Sequence, residues 1–371
     1  MRIIIIGGGI LGTAHAFEAV RRGHQVVQLE REAEARGATV RNFGLVWVSG
    51  RAVEELEITL RARQLWEELA ALIPGVGFRP NGSLTLLRTP AEVAVAEEAA
   101  QRPDGAARGF TLLDADRARA MNPALKGKFL AALHCARDAA VESRQAMPAI
   151  RRHLAATGRY TFLPGVEARA VDRARVRDDR GDHHDGDLVV VCTGAAHGGL
   201  TRELAGELPV RRVRLQMMQT APLGERLTTA IADGDSMRYY PGFAGAALDD
   251  LNRSQPQDVT AEQHHMQLLC VQRLNGGLTI GDTHEYSEPF AFDLSEGPSD
   301  YLTALVEEFL GRPLPRIEQR WAGVYSQSTE AGAVVCRRTP ADGVHVVTGP
   351  GGRGMTLGPA VAEQTADILG L

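Results

Sequence analysis

The chain opens on residues 3–6, an apolar run broken at once by glycines at 7, 8, 9 and 12. A short run with no polar face, bounded by glycine, reads as a strand buried on both sides, as in a parallel sheet. From residue 11 to 22 the spacing turns helical, with Ala14, Phe17 and Val20 recurring on one side and Gly23 as the stop. Residues 25–29 form a second mostly apolar run, closed by Glu30. Strand, glycine turn, helix and strand together take about thirty residues, the length of a βαβ beginning.

The alternation continues downstream. Residues 36–50 are rich in glycine and small polar residues and read as a loop. Helices are predicted over 54–72, 90–101, 113–121 and 143–156, and strands over 82–87, 129–135 and 160–163. Residues 188–192 make another fully apolar strand, running into Thr193-Gly194-Ala195. The next part changes character: 213–220, 238–240, 268–274 and 278–281 read as strands of a more antiparallel sheet, with a helix over 299–310. A third apolar strand, 344–348, enters the glycine turn 349–354 and a helix over 356–369. The expected fold class is α/β: a Rossmann-like nucleotide domain (1–50, 140–215 and 325–371) interleaved with a substrate domain on a mostly antiparallel sheet (51–139 and 216–324).

Composition narrows the function. In a chain of 371 residues the net charge of −5 argues against a nucleic-acid-binding surface. No apolar stretch reaches the ~18 residues of a membrane span. The N-terminal run is too short for a signal peptide, and the expected compartment is the cytoplasm. Almost every basic residue is arginine, Lys126 and Lys128 being the lysines, so no arginine stands out by rarity. Cys135, Cys192, Cys270 and Cys336 have no zinc spacing and are expected as free thiols. Neighbouring histidines at 183–184 and 264–265 point in different directions on any regular element, and no metal site is expected.

The chemistry sits in the glycines. In Gly7-x-Gly9-x-x-Gly12 the first glycine permits the tight turn and the second lets backbone approach a pyrophosphate. The third lets helix pack on strand, and the helix N-terminus faces the phosphates. Glu30, eighteen residues after Gly12, ends the second strand, where an acid accepts hydrogen bonds from ribose hydroxyls. Two further pieces resemble parts of FAD enzymes rather than of nicotinamide-binding domains. Residues 187–195, a strand ending in Thr-Gly-Ala, are similar to their second fingerprint, and 344–358 are a strand, glycine turn and helix start of the kind that in FAD enzymes aims backbone N–H groups at a flavin edge.

With these pieces placed, the chain resembles the D-amino-acid oxidase, glycine oxidase and sarcosine oxidase superfamily of FAD enzymes over nearly its whole length. The resemblance rests on Gly7 to Gly12, Glu30, Arg36-Gly37-Ala38-Thr39, Gly165-Val166, Thr193-Gly194-Ala195, Trp321-Ala322-Gly323 and Gly349 to Pro359. It implies FAD contacts from Gly7, Gly9, Ile10, Leu11 and Gly12, from Glu30 and Arg31, and from Ala38, Thr39, Asn42, Phe43 and Gly44. Further contacts are implied from Val166, Thr193 and Gly194, and from Gly349, Gly352, Arg353, Gly354, Met355 and Thr356. Thr39 would meet the pyrophosphate and Val166 the adenine.

Longer segments are similar to one subgroup, the flavin oxidoreductases encoded beside phosphonate-degradation genes. They are 38–44, 215–218, 281–286 and 320–325. That likeness implies a 2-aminoethylphosphonate-like amine as substrate. Two departures from the superfamily matter. Tyr325 falls about where glycine- and D-amino-acid-type enzymes carry a carboxylate-clamping arginine. No cysteine lies between Cys270 and Cys336, where sarcosine oxidases attach FAD, so non-covalent FAD is expected.

The expected reaction is hydride transfer from an amine carbon to flavin N5, followed by imine hydrolysis, with O2 or another acceptor taking the electrons. Arg41, Arg238 and Arg353 are the candidates for the substrate's anionic group, and His284, Tyr240 and Tyr325 for the reacting end. The alternatives are an oxidase or dehydrogenase of glycine, sarcosine or a D-amino acid, and a flavin-binding electron carrier without amine chemistry.

Overall fold

The computed structural model describes residues 1–371. Its first sheet has six strands in the order Cys336–Ala341, Val344–Thr348, Leu188–Val191, Arg2–Ile6, Gln25–Glu30 and Tyr160–Pro164. All neighbours pair in parallel except the first two. Both faces are covered, which is why its central runs lack polar positions. Ile3, Ile5 and Val190 pack with the helices Ile10–Arg21, Leu56–Leu72, Ser143–Ala155 and Gly354–Ile368. Ile4, Ile6, Val189 and Val191 face the other way, toward Val176 of a small antiparallel sheet (Ala168–Asp172, Arg175–Asp178 and His183–Asp185) and Leu200 and Leu204 of a short helix.

The second sheet has eight strands, in the order Ile317–Ser328, Val210–Pro222, Gly277–Gly281, Leu269–Gln272, Ala230–Asp233, Ser83–Leu87, Ala131–Cys135 and Phe110–Asp114. It is antiparallel apart from one pair, Ala230–Asp233 with Ser83–Leu87. The helix Glu296–Leu310 closes one face, with Leu302, Leu305, Val306 and Phe309 among Met218, Cys270, Leu278 and Ile280. On the other face Met217, Leu269 and Val271 meet Phe43, Leu45 and Trp47. No helix is long and apolar enough to cross a membrane.

Several expectations needed correction. Residues 238–240 are not a strand: Asp235–Tyr239 is a helical turn, and Tyr240 is the extended residue after it. The predicted helix over 113–121 divides into the strand Phe110–Asp114 and the helix Ala115–Met121, capped by the Asp114 side chain accepting from Arg117 N–H. The strand Ile317–Ser328 was not read, because its alternation is masked by Glu318, Gln319 and Arg320 at an exposed edge. It pairs with Val210–Pro222 along most of its length. Positions 215/216 and 324/325 thus lie within two neighbouring strands of the eight-stranded sheet.

Candidate functional site

The strand Arg2–Ile6 lies between Leu188–Val191 and Gln25–Glu30, so successive crossovers leave on opposite sides and open a crevice at its carboxyl end. The glycine turn fills that point. Gly7 has φ +109° and a Cβ there would lie 2.3 Å from Cys192 O. A Cβ on Gly12 would lie 2.0 Å from Gly7 O, so the helix sits on the turn at a distance only glycine allows. At the helix start Ile10 N–H donates to Thr39 Oγ1 at 2.9 Å, while the next amides, Leu11 and Gly12, have no acceptor in the chain. Glu30 accepts from Gly8 N–H at 2.7 Å and Glu32 N–H at 3.0 Å, holding the turn as well as bordering the crevice.

From this crevice a cavity of about 1210 Å³ extends to the eight-stranded sheet. Its far end is aromatic. Tyr239 stacks on His284 with ring centroids 4.2 Å apart and meets Tyr240 edge-on at 5.0 Å. Tyr325, opposite Val213 on the neighbouring strand, and Tyr286 complete the lining there. Burial drives the phenols of Tyr239, Tyr240 and Tyr325 upward, so they stay protonated. Burial also takes His284 down to about 4, and its Nδ1 lies 2.8 Å from His265 O. The ring is therefore neutral, with Nδ1 donating and Nε2 left as an acceptor.

One cation enters this end by an indirect route. Residues 47–51 leave the short strand Leu45–Val46 and are fixed from behind by Asp138. That carboxylate accepts from Val48 N–H (2.5 Å), Ser49 N–H (3.0 Å), Ser49 Oγ (2.8 Å) and Ser83 Oγ (2.6 Å). Arg108 donates to Val48 O and Ser49 O at 2.9 and 3.1 Å. The segment delivers Arg51 to the cavity wall, buried, its Nε donating to Trp47 O at 3.1 Å and its two terminal nitrogens without an acceptor in the chain. Burial lowers its pKa, with Arg353 nearby adding to the effect, and Glu55 and Asp138 oppose it without forming an ion pair. Asp138→Ala strands those donors in the interior and is expected to cost about 3 kcal/mol or more of stability, read from thermal unfolding. Unaltered unfolding would show that the segment is held by something else.

The sequence model of the DAO family, described as FAD dependent oxidoreductase, matches residues 2–368. The chain belongs to this family. Among curated proteins, a putative thiamine biosynthesis oxidoreductase ThiO of Rhizobium etli is 31% identical over 214 residues, 56% of this chain and 58% of that protein. The chain thus matches little more than half the length of that relative. Glycine oxidase from Geobacillus kaustophilus superposes with a TM-score of 0.78 at 18% identity, covering 100% of this chain and 95% of that one. L-proline dehydrogenase from P. horikoshii gives 0.79 at 19%, covering 99% and 92%. At such identities these structures share the fold.

FAD is the cofactor of this family, and the residues suit it. The cavity exceeds what a small ligand needs, the helix start offers unpaired amides, and the buried Trp47 indole N–H lacks a partner. Cys192 is the cysteine on the cavity wall, and burial pushes its thiol up to about 12, consistent with FAD held non-covalently.

Most of the residues singled out from sequence border the cavity. Gly7, Gly9, Ile10, Leu11, Glu30 and Arg31 do so, as do Ala38, Thr39, Asn42, Phe43, Val166, Thr193, Gly194, Gly352, Gly354 and Met355. Gly12, Gly44, Gly349 and Thr356 do not line it but shape it. Gly44 (φ +75°) leaves no room for a Cβ beside Val141 O, and Gly349 (φ +76°) turns against Ser328. The Thr356 hydroxyl accepts from Trp47 N–H at 3.0 Å and donates to Leu45 O at 3.3 Å.

The candidate arginines differ in their surroundings. Arg238 is absent from the cavity wall, its guanidinium taken by Asp235 at 3.0 Å, Asn252 and Gln255 O. Arg41 borders the cavity but donates to Arg36 O (2.8 Å) and Ala322 O (2.7 Å), and Arg353 is paired with Glu55. Tyr240, His284 and Tyr325 lie at the aromatic end of the cavity. Arg51, Asp282, Tyr239 and Tyr286 were missed. The last two adjoin named residues, and Asp282 lies inside the quoted segment 281–286, whereas Arg51 carried no signal beyond following Gly50 in the glycine-rich loop.

Proposed function

We propose that the protein oxidises a small primary or secondary amine bearing an anionic group, with an aminophosphonate related to 2-aminoethylphosphonate as the preferred class. The observation that carries this reading is Arg51, a buried guanidinium on the cavity wall with two donors unspent and no ion pair to a carboxylate. A phosphonate oxygen pair matches that fork. The surrounding phenols of Tyr239, Tyr240 and Tyr325 are neutral donors that add hydrogen bonds without adding charge. Bound FAD supplies the hydride acceptor for the carbon beside nitrogen, and the imine released is hydrolysed by water. The chain's part is to anchor the anion, align the amine carbon and exclude water. The partners implied are that substrate and an electron acceptor, O2 or another.

An amino-acid substrate is the second reading, favoured by the likeness to a putative ThiO. Anaerobic bleaching of the bound flavin against aminophosphonates, glycine, sarcosine, proline and D-amino acids separates the two. Bleaching fastest with an aminophosphonate is the expected result. A response confined to amino acids would remove the phosphonate reading, and no response to any amine would leave a flavin carrier.

A further inference from the structure

Asp282 follows the strand Gly277–Gly281, where Gly281 must be small because a Cβ would lie 2.9 Å from the Phe43 ring. The chain therefore reaches the cavity just past a residue of the cofactor loop, and Asp282 emerges on the wall there. Its backbone is already paired with Gln267 on both sides, so the carboxyl is not needed to hold the strand end. One carboxyl oxygen, Oδ1, is buried with no partner at all. The other lies 3.4 Å from His284 Nε2, the nitrogen that the Nδ1 bond to His265 O leaves as an acceptor. The groups facing it from other elements are the Tyr240 phenol, after the turn Asp235–Tyr239, and the Tyr325 phenol on Ile317–Ser328. Neither is a cation, and no arginine or lysine pairs with it. Tyr240 lies within electrostatic reach of both Asp282 and Arg51, and all three residues line the cavity.

We propose that Asp282 is the base of this site: its carboxylate receives the substrate's ammonium group and takes one proton from it, leaving a neutral amine. This rests on the amine reading above. The N–H bond breaks, an O–H bond forms on Asp282, and the nitrogen lone pair is freed to stabilise the carbon that gives up hydride to FAD. Before transfer the site holds a carboxylate and an ammonium ion; after it, two neutral groups. Burial favours the second state and pushes Asp282 up to about 8, near the value at which a carboxyl exchanges protons with its surroundings at neutral pH. His284 is a positioning residue, since its neutral ring offers Nε2 to the carboxyl proton once it has moved. Arg51 and Asp282, both on the cavity wall, offer a small zwitterion a partner for each of its charges.

The test uses the FAD-loaded enzyme and Asp282→Asn, which keeps the shape. With saturating 2-aminoethylphosphonate, or the fastest amine of the panel, the anaerobic flavin-reduction rate is measured against pH. The wild-type rate is expected to rise along a limb with its midpoint at or below about pH 8. In Asp282→Asn the limb moves up by more than ~1 pH unit toward the amine's own value, and the rate at pH 7.5 falls roughly 100-fold. An unchanged limb overturns the proposal. Independently of turnover, infrared pH titration of the wild type minus the variant should show a protonated-carboxyl carbonyl band that titrates near neutrality. Its absence overturns the proposal even if the variant is impaired by misfolding. A wild-type flavin that no amine reduces brings down the amine reading itself, a result the infrared band cannot mimic.

Discussion

Arg51→Met is expected to lower kcat/KM for the preferred anionic amine by roughly 100-fold or more while the protein stays yellow. Two charge-assisted hydrogen bonds to a desolvated anion are worth about 1.5–3 kcal/mol each, and tenfold corresponds to about 1.4 kcal/mol. Methionine keeps the length and apolar packing of the stem, so the loss isolates the guanidinium. The Trp47 carbonyl that accepts from Nε would lose that donor, but Asp138 and Arg108 still hold the segment. Arg238→Met serves as the contrast. Its guanidinium is spent on Asp235, Asn252 and Gln255 away from the cavity, so KM should not change. Steady-state kinetics on both variants decides the matter. A normal KM and kcat in Arg51→Met would show that another group holds the anion.

Gly12→Ala is expected to yield protein that is colourless, or that bleeds its flavin on dilution. The added Cβ would lie 2.0 Å from Gly7 O, and backbone on both sides leaves neither partner free to yield. Overpacking of this kind costs about 1–3 kcal/mol and sometimes more. Here the relief comes from lifting the helix off the turn, which removes the amides of Leu11 and Gly12 from the phosphate position. Gly297→Ala is the control: nothing lies within 4 Å of a Cβ there, so cofactor content should match the wild type. The ratio of flavin to protein absorbance in the purified variants measures the effect. A full complement of FAD in Gly12→Ala would mean that the helix start is not where the cofactor's phosphates sit.

The two variants fall on opposite sides of what could be read in advance. The glycine turn, its flanking strands and Glu30 were legible because their constraint is local: a tight turn and a close helix allow few residue types, at fixed spacing. The central strands of the six-stranded sheet followed from the same logic, since a strand covered on both faces shows as a run without polar positions, while its antiparallel edge strand Cys336–Ala341 did not. The edge strand Ile317–Ser328 and the small sheet over 168–185 did not, because exposed strands rich in Arg, Asp and Glu lose the alternation that marks them.

By itself, then, the sequence determined the nucleotide crevice and the α/β class, and it singled out Tyr240, His284 and Tyr325 among the residues at the far end of the cavity. Which arginine keeps its donors open on the cavity wall was decided only by tertiary structure. Arg41, Arg238, Arg353 and Arg51 are alike as letters in an arginine-rich chain. Three are spent on acceptors brought by folding, from Ala322, Asp235 and Glu55, and the fourth is pinned to the cavity wall by Asp138, far along the chain, with its donors left open. Asp282 follows the same rule, since its chemistry depends on how little water and how few cations surround it, and those are properties of the packed molecule alone.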